Sequence, residues 1–255
     1  MIKKAWLVTE KTFTVAEKRR HAGRATKRVW QTMKQEIRLD NIEAMLFDFE
    51  GTLVDFQWQL AAAIEETRAM LWKMGFAENR IRSRRYSTLM TEAMQAAPEI
   101  GLSPDQVREK IGCVYDRYDE DALTRWALRP GVKDFLNAIR TNGMRTGLVS
   151  NVGGKTLAKA LTKLGLAEFF DVALSRNDVL NLKPHPDGLN LAIQKLEISK
   201  DKSIFLGDSL DDVNAARNAG IRIMIITDGE NGKEDILAAK PDRVIQNYDE
   251  LLRVI

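Results

Sequence analysis

With 255 residues the chain can bury a sizeable core, and apolar and charged fractions of 44% and 29% are those of a globular protein. The longest apolar runs, such as "IRIMIIT" at 221–227, fall far short of the roughly 18 residues of a membrane span, and "MIKKAWLVTEK" at the start has no sustained apolar segment of a secretory signal. One cysteine (Cys113) and two histidines (His21, His185) exclude an internal disulfide, argue against cysteine- or histidine-based metal sites, and fit a reducing cytoplasm.

Charge is uneven along the chain. Residues 1–39 hold eleven Lys/Arg against Glu10, Glu17 and Glu36, a net of +8 that leaves the remainder at −5 on a whole-chain total of +3. Within 14–38, Ala22, Ala25, Val29, Met33 and Ile37 recur at helical spacing with basic residues around them. The spacing predicts a basic helical extension over 1–41. Its narrow apolar stripe suits packing on its own domain, and its basic face also suits weak contact with an anionic membrane or nucleic acid. No aromatic–basic interleaving of the kind that stacks bases is present.

From residue 42 the texture changes. "IEAMLFDF" reads as a buried strand, and 57–128 read as helical, with Gly75 ending one helix and Ser103–Pro104 opening another as N-cap and first residue. Trp58, Trp72 and Trp126 read as apolar anchors of this helical block. Four arginines in "NRIRSRRY" (Arg80, Arg82, Arg84, Arg85) read as a solvated helix start, with recognition of an anion as the alternative. "LRPGV" at 128–132 punctuates the chain.

Thereafter helices alternate with the apolar strands "MRTGLVSN", "FFDVALS", "KSIFLGDS", "IRIMIIT" and a short one near "DRVIQ", and helix "YDELLRVI" closes the chain. Such alternation predicts an α/β fold, a parallel sheet covered by helices on both faces, with 57–128 inserted after its first strand.

In such sheets ligands bind beyond the carboxyl ends of the strands. Asp48 and Glu50 follow the first strand, Ser150 and Asn151 another, and Asp208 a third, with Asp211 and Asp212 opening the next helix. Lys183 lies in the loop "NLKPHPDG". Carboxylates crowded at one edge repel each other, and a hard cation such as magnesium relieves that cost. A carboxylate, a cation, a lysine and a hydroxyl together describe phosphoryl transfer to an enzyme aspartate. "GGKT" at 153–156 is not a nucleotide-binding loop, because Val149 stands where that motif needs its first glycine. Gly153 and Gly154 remain either turn glycines or a cradle of backbone amides for phosphate.

Four segments, "DFEGTLVD" at 48–55, "LVSN" at 148–151, "LKPHPD" at 182–187 and "GDSLDDVNAARNAG" at 207–220, together resemble the motifs of the haloacid dehalogenase superfamily. The resemblance covers residues 42 to 255, and within the superfamily it is to the helical-cap, phosphoglycolate-phosphatase-like group. It implies a Rossmann-like doubly wound core over 42–56 and 129–255, an α-helical cap over 57–128, and a magnesium-dependent phosphatase of a small phosphorylated metabolite. Asp48 would be the nucleophile, Glu50 the acid–base residue, and Ser150 and Lys183 the groups steadying the phosphoryl. Gly51, Thr52 and Asn151 would line the phosphate site. Asp48, the backbone carbonyl of Glu50 and Asp208 would hold magnesium, and Asp212 would hold a magnesium-bound water or the lysine. The chain would act as a monomer or dimer.

One residue departs from the family's pattern, in which the second acid is aspartate. Glu50 has a reference pKa within about half a unit of aspartate's, but is one methylene longer, and a misplacement of about 1 Å can cost roughly a hundredfold. Either the surrounding loop is adjusted to it, or turnover is slow or lost, or it swings away to hold a basic residue of the cap. The alternative to an enzyme is a catalytically weak binding or scaffold protein that uses the phosphate pocket and the basic tail.

Overall fold

A computed structural model describes residues 41–255. The basic extension over 1–41, with its membrane or nucleic-acid reading, therefore lies outside the described residues but for its last one.

Six parallel strands form one sheet: β1 (Ala44–Phe47), β2 (Arg145–Val149), β3 (Val172–Leu174), β4 (Ser203–Gly207), β5 (Arg222–Ile226) and β6 (Arg243–Ile245), in the order β3-β2-β1-β4-β5-β6. β1 and β4 are buried along their whole length, as the two apolar runs predict for central strands covered on both faces. The order reverses direction between β1 and β4, where doubly wound sheets open a crevice for ligands. Phe47 sits opposite Leu148 of β2 and Leu206 of β4. Asp48, Ser150 and Asp208, each the first residue past its strand, are thereby carried to one edge.

Three helices lie between β1 and β2 as an insert: α1 (Leu60–Lys73), α2 (Tyr86–Ala96) and α3 (Pro104–Leu123). Ser103 closes a capping box on α3: its hydroxyl accepts from Gln106 N at 3.2 Å, and its own N–H donates to Gln106 Oε1 at 3.0 Å. Leu71 of α1, Leu89 of α2 and Ile111 of α3 are fully buried in the insert's core. The two linkers to the insert run side by side, with Val54 bridged to Leu128 and Asp55 N donating to Ala127 O at 3.1 Å.

The remaining helices are α4 (Val132–Thr141), α5 (Gly154–Leu164), α6 (Asp187–Leu196), α7 (Leu210–Ala219), α8 (Lys233–Ala239) and α9 (Tyr248–Leu252). Only the short α8 was not expected. Its seven residues offer two helical turns and a single buried pair, Ile236 and Leu237, too little periodicity to stand out. Trp58 and Trp126 are buried as expected, but Trp72 is 37% exposed. It lies on the outward side of α1 with the Arg68 guanidinium over its ring. No described helix is long and apolar enough to cross a membrane.

Candidate active site

Asp48 continues the β1 ladder by donating its N–H to Leu206 O at 2.9 Å, and its carboxylate turns into the crevice. Lys183, 5% exposed, reaches the same point from the loop before α6. Its Nζ lies 2.5 Å from Asp48 Oδ1 and 2.7 Å from Asp212 Oδ1. Burial alone disfavours a charged lysine, but Asp212 and Asp48 outweigh it and raise the Lys183 pKa, so the amine stays protonated. Burial likewise lifts Asp48 to about 6, with Lys183 pulling against it.

Asp212 does two jobs. Its Oδ2 accepts from Ser209 N at 3.0 Å while Ser209 Oγ accepts from Asp212 N at 3.1 Å, a capping box that starts α7. The other oxygen holds Lys183. "GDSLDD" is thus a helix start and a lysine anchor at once. Asp208 is 1% exposed and accepts from Thr52 Oγ1 at 3.1 Å and from Glu230 N at 2.6 Å. Burial and then the neighbouring Asp212 and Asp48 push its pKa far up. Among the described residues Asp48, Asp208 and Asp212 each offer an oxygen within 4.8 Å of the others. Hard oxygens in that arrangement, whose mutual repulsion a bound cation would relieve, fit a magnesium ion.

Several phosphate-site candidates have other partners in the structure. The Thr52 side chain is fully buried and spends its hydroxyl on Asp208, so it supports that acid and does not face the cavity. Gly51 gives its N–H to Val54 O at 2.8 Å, and its role is steric: at φ +80° its Cα packs against the Asp208 carboxylate, where a Cβ would collide. The amides of Gly153 and Gly154 form no phosphate cradle, because Asp119 Oδ2 accepts the first at 2.9 Å and Asn177 Oδ1 the second at 2.8 Å. Ser150 and Asn151 do line the cavity.

Glu50 turns neither to the metal cluster nor to a basic residue. Its Oε1 accepts from Gln57 N at 2.8 Å and from the Trp126 indole at 2.9 Å, one donor from each linker to the insert. Burial raises its pKa to about 8, although those two donors pull it down. The acid therefore carries a proton at neutral pH while bordering the cavity.

Of the four arginines before α2, Arg85 reaches the core and pairs with an acid: its Nη2 lies 2.7 Å from Asp211 Oδ1, and Ser87 Oγ donates to Asp211 Oδ2 at 2.7 Å. Arg80 pairs with Glu99 on the surface. His185 is 2.8 Å from Asp187 and half exposed, outside the cavity lining. Four cavity residues carried no sequence signal of their own. These are Tyr86 of α2, Asp119 of α3, Arg176 after β3, and Glu230, which burial lifts to about 7. They meet from distant segments, and nothing in the local sequence around any of them marks it.

Comparison with known proteins decides the family. Residues 45–226 match the model of haloacid dehalogenase-like hydrolases. This chain belongs to that family. The phosphoglycolate phosphatases of Salmonella typhimurium strain LT2 and of Escherichia coli K12 are each 32% identical to it over 236 residues, covering 84% of this chain and 93% of theirs. CbbY from Rhodobacter sphaeroides, solved in complex with phosphate, shares the fold at a TM-score of 0.57 and 23% identity, over 82% of this chain and 96% of that one. Membership of this family accounts for the six-stranded parallel sheet and its flanking helices.

Proposed function

We propose that this chain is a magnesium-dependent phosphatase that hydrolyses a small phosphate monoester through an aspartyl-phosphate on Asp48. The observation that carries this reading is the buried Asp48–Lys183–Asp212 triad beside Asp208: a nucleophilic carboxylate, a fixed ammonium and a second acid with which a cation can be shared. Asp48, Asp208 and the carbonyl of residue 50 would hold magnesium, with Asp212 acting through Lys183. Bound there, the ion neutralises charge on the phosphoryl group and orients it.

The chain's own residues carry the steps. An Asp48 oxygen bonds to phosphorus as the bond to the leaving oxygen breaks, and Glu50 gives that oxygen its proton. Lys183 and the Ser150 hydroxyl steady the phosphoryl oxygens. Glu50, now a carboxylate, takes a proton from water, and the water oxygen bonds to phosphorus as the Asp48–phosphorus bond breaks. Phosphate leaves and both acids are restored. The Trp126 and Gln57 donors that hold Glu50 support this role for the longer side chain.

The helical segment 57–128 acts as a cap over the core of 42–56 and 129–255. The cavity beneath it measures about 40 Å³, room for only a few waters. Substrate therefore enters when the cap lifts, and closure excludes bulk water from the reaction. The curated relatives carry the name phosphoglycolate phosphatase, so 2-phosphoglycolate is the first candidate, ahead of sugar phosphates and nucleotides. The test is hydrolysis of 2-phosphoglycolate and p-nitrophenyl phosphate with and without magnesium, for the wild type and Asp48→Asn. Magnesium-dependent turnover lost in Asp48→Asn is expected. Equal rates in the two proteins contradict the reading.

A further inference from the structure

The loop between β2 and α5 brings Ser150 and Asn151 to the cavity. Core groups hold Ser150 (Leu174 O), Asn151 (the Lys183 backbone) and Gly154 (Asn177), and the cap holds Gly153 and, through Tyr86, Asn151 as well. Asp119, 2% exposed on the inner side of α3, accepts the Gly153 N–H at 2.9 Å and lies 3.0 Å from Arg176 Nη2. Arg176 is itself 3% exposed. Its Nη1 donates to the Asn151 carbonyl at 2.9 Å, and its Nη2 also pairs with Asp116 of α3. The Asn151 side chain donates to the Tyr86 hydroxyl of α2 at 2.7 Å. The fit is close: a Cβ on Gly153 would collide with both Arg176 and Asp116.

We propose that Asp119 and Arg176 form a clasp through which closure of the cap sets the conformation of the phosphate-holding loop, which makes Asp119 a positioning residue for Ser150 and Asn151. A buried guanidinium is tolerable only with its acceptors in place. When the cap lifts, Asp116 and Asp119 leave with α3, and the Gly153 amide and the Arg176 fork must both find water. The Gly153 end of the loop is thus fully held only while the cap is down, whereas the contacts of Ser150, Asn151 and Gly154 with Leu174, Lys183 and Asn177 stay with the core. By reciprocity, whatever binds that arrangement, phosphate above all, favours closure. Arg176 is already committed to two carboxylates and a carbonyl, so it serves the loop and not the substrate. Asp116 supplies a control within the same cluster: it pairs with Arg176 and packs against Gly153 but makes no hydrogen bond to the loop, and its side chain is 55% exposed.

The inference rests on the phosphatase reading for the role of Ser150 and Asn151, and the experiment separates the two. KM and kcat for p-nitrophenyl phosphate, inhibition by inorganic phosphate, and amide exchange over residues 150–154 are measured with magnesium for the wild type, Asp119→Asn, Arg176→Lys and Asp116→Asn. Asp119→Asn and Arg176→Lys should raise KM and the phosphate inhibition constant about tenfold, within the range usual for coupled sites, with a smaller change in kcat and faster exchange in the loop. Asp116→Asn should move these constants less than about threefold. If Asp119→Asn fails to fold, Arg176→Lys, which keeps the charge, gives the answer alone. Unchanged constants and unchanged loop exchange overturn the clasp while the phosphatase stands, as does an equal effect of Asp116→Asn and Asp119→Asn. A wild type without turnover sinks the phosphatase reading instead, and the clasp is then judged on exchange: equal protection in wild type and Asp119→Asn rejects it.

Discussion

At the sheet edge, Asp48, Asp208, Asp212 and Lys183 are held by one another and by neighbours from the core: Ser209, Thr52 and the backbone of Glu230. Across the same cavity, Glu50, Asn151 and Asp211 take partners from the helical insert or its linkers: Trp126, Tyr86, Ser87 and Arg85. The first group keeps its geometry whatever the insert does. The second depends in part on the insert, although Asn151 is also bonded to the Lys183 backbone of the core. Damage to the first should therefore abolish chemistry and fold stability together, whereas damage to the second should change how chemistry responds to pH and to closure.

The largest effect belongs to Lys183. Lys183→Met leaves Asp48 and Asp212 buried against each other without a cation, which should cost roughly 3–5 kcal/mol of unfolding free energy and about a hundredfold or more in turnover. Denaturant unfolding beside steady-state kinetics reads both. A variant as stable as the wild type would mean that the triad is not the desolvated cluster described.

A smaller and more selective effect is expected at Glu50. Its pKa is raised to about 8, so the proton it gives to a leaving alkoxide is present below that pH and lost as pH rises through it. For 2-phosphoglycolate, kcat/KM should fall along an alkaline limb near pH 8. For p-nitrophenyl phosphate, whose leaving group needs no proton, the limb should be absent. Trp126→Phe removes a donor that favours the charged carboxylate, so the limb should move to higher pH, and Glu50→Gln should remove it along with most turnover of the alkyl ester. A limb that ignores both substitutions would detach Glu50 from acid catalysis.

The mildest change is Ser87→Ala, which deletes one hydrogen bond from α2 to the buried Asp211 while Arg85 remains paired with it. The loss should be about 1 kcal/mol, seen as a KM raised a few-fold at nearly constant kcat. A kcat lowered as much as KM is raised would mean that this contact acts on the core site as well.

The same division governs what could be read in advance. Asp48, Ser150 and Asp208 were legible because each ends an apolar strand, and parallel strands deliver such residues to one edge. Ser103 as the N-cap of α3 was legible because its signal, a serine followed by Pro104 before an apolar-periodic run, is local. Thr52 and Gly51 show that lying beside Asp48 in sequence says nothing of direction: the Thr52 hydroxyl turns to Asp208 and the Gly51 N–H to the local turn. Gly153 and Gly154 looked free to cradle an anion until Asp119 and Asn177, remote in the chain, proved to hold their amides. The turn of Glu50 toward an indole and a backbone N–H follows from where two linkers meet, and no local spacing encodes that.

The mechanism stands or falls on the covalent bond between Asp48 and phosphorus. Wild-type protein turning over 2-phosphoglycolate with magnesium can be quenched into borohydride, which reduces an aspartyl-phosphate to homoserine, and the peptide covering residues 42–56 examined by mass spectrometry. The account predicts homoserine at position 48, dependent on both substrate and magnesium. Robust turnover with an unmodified Asp48, or with the reduced residue elsewhere, would contradict it.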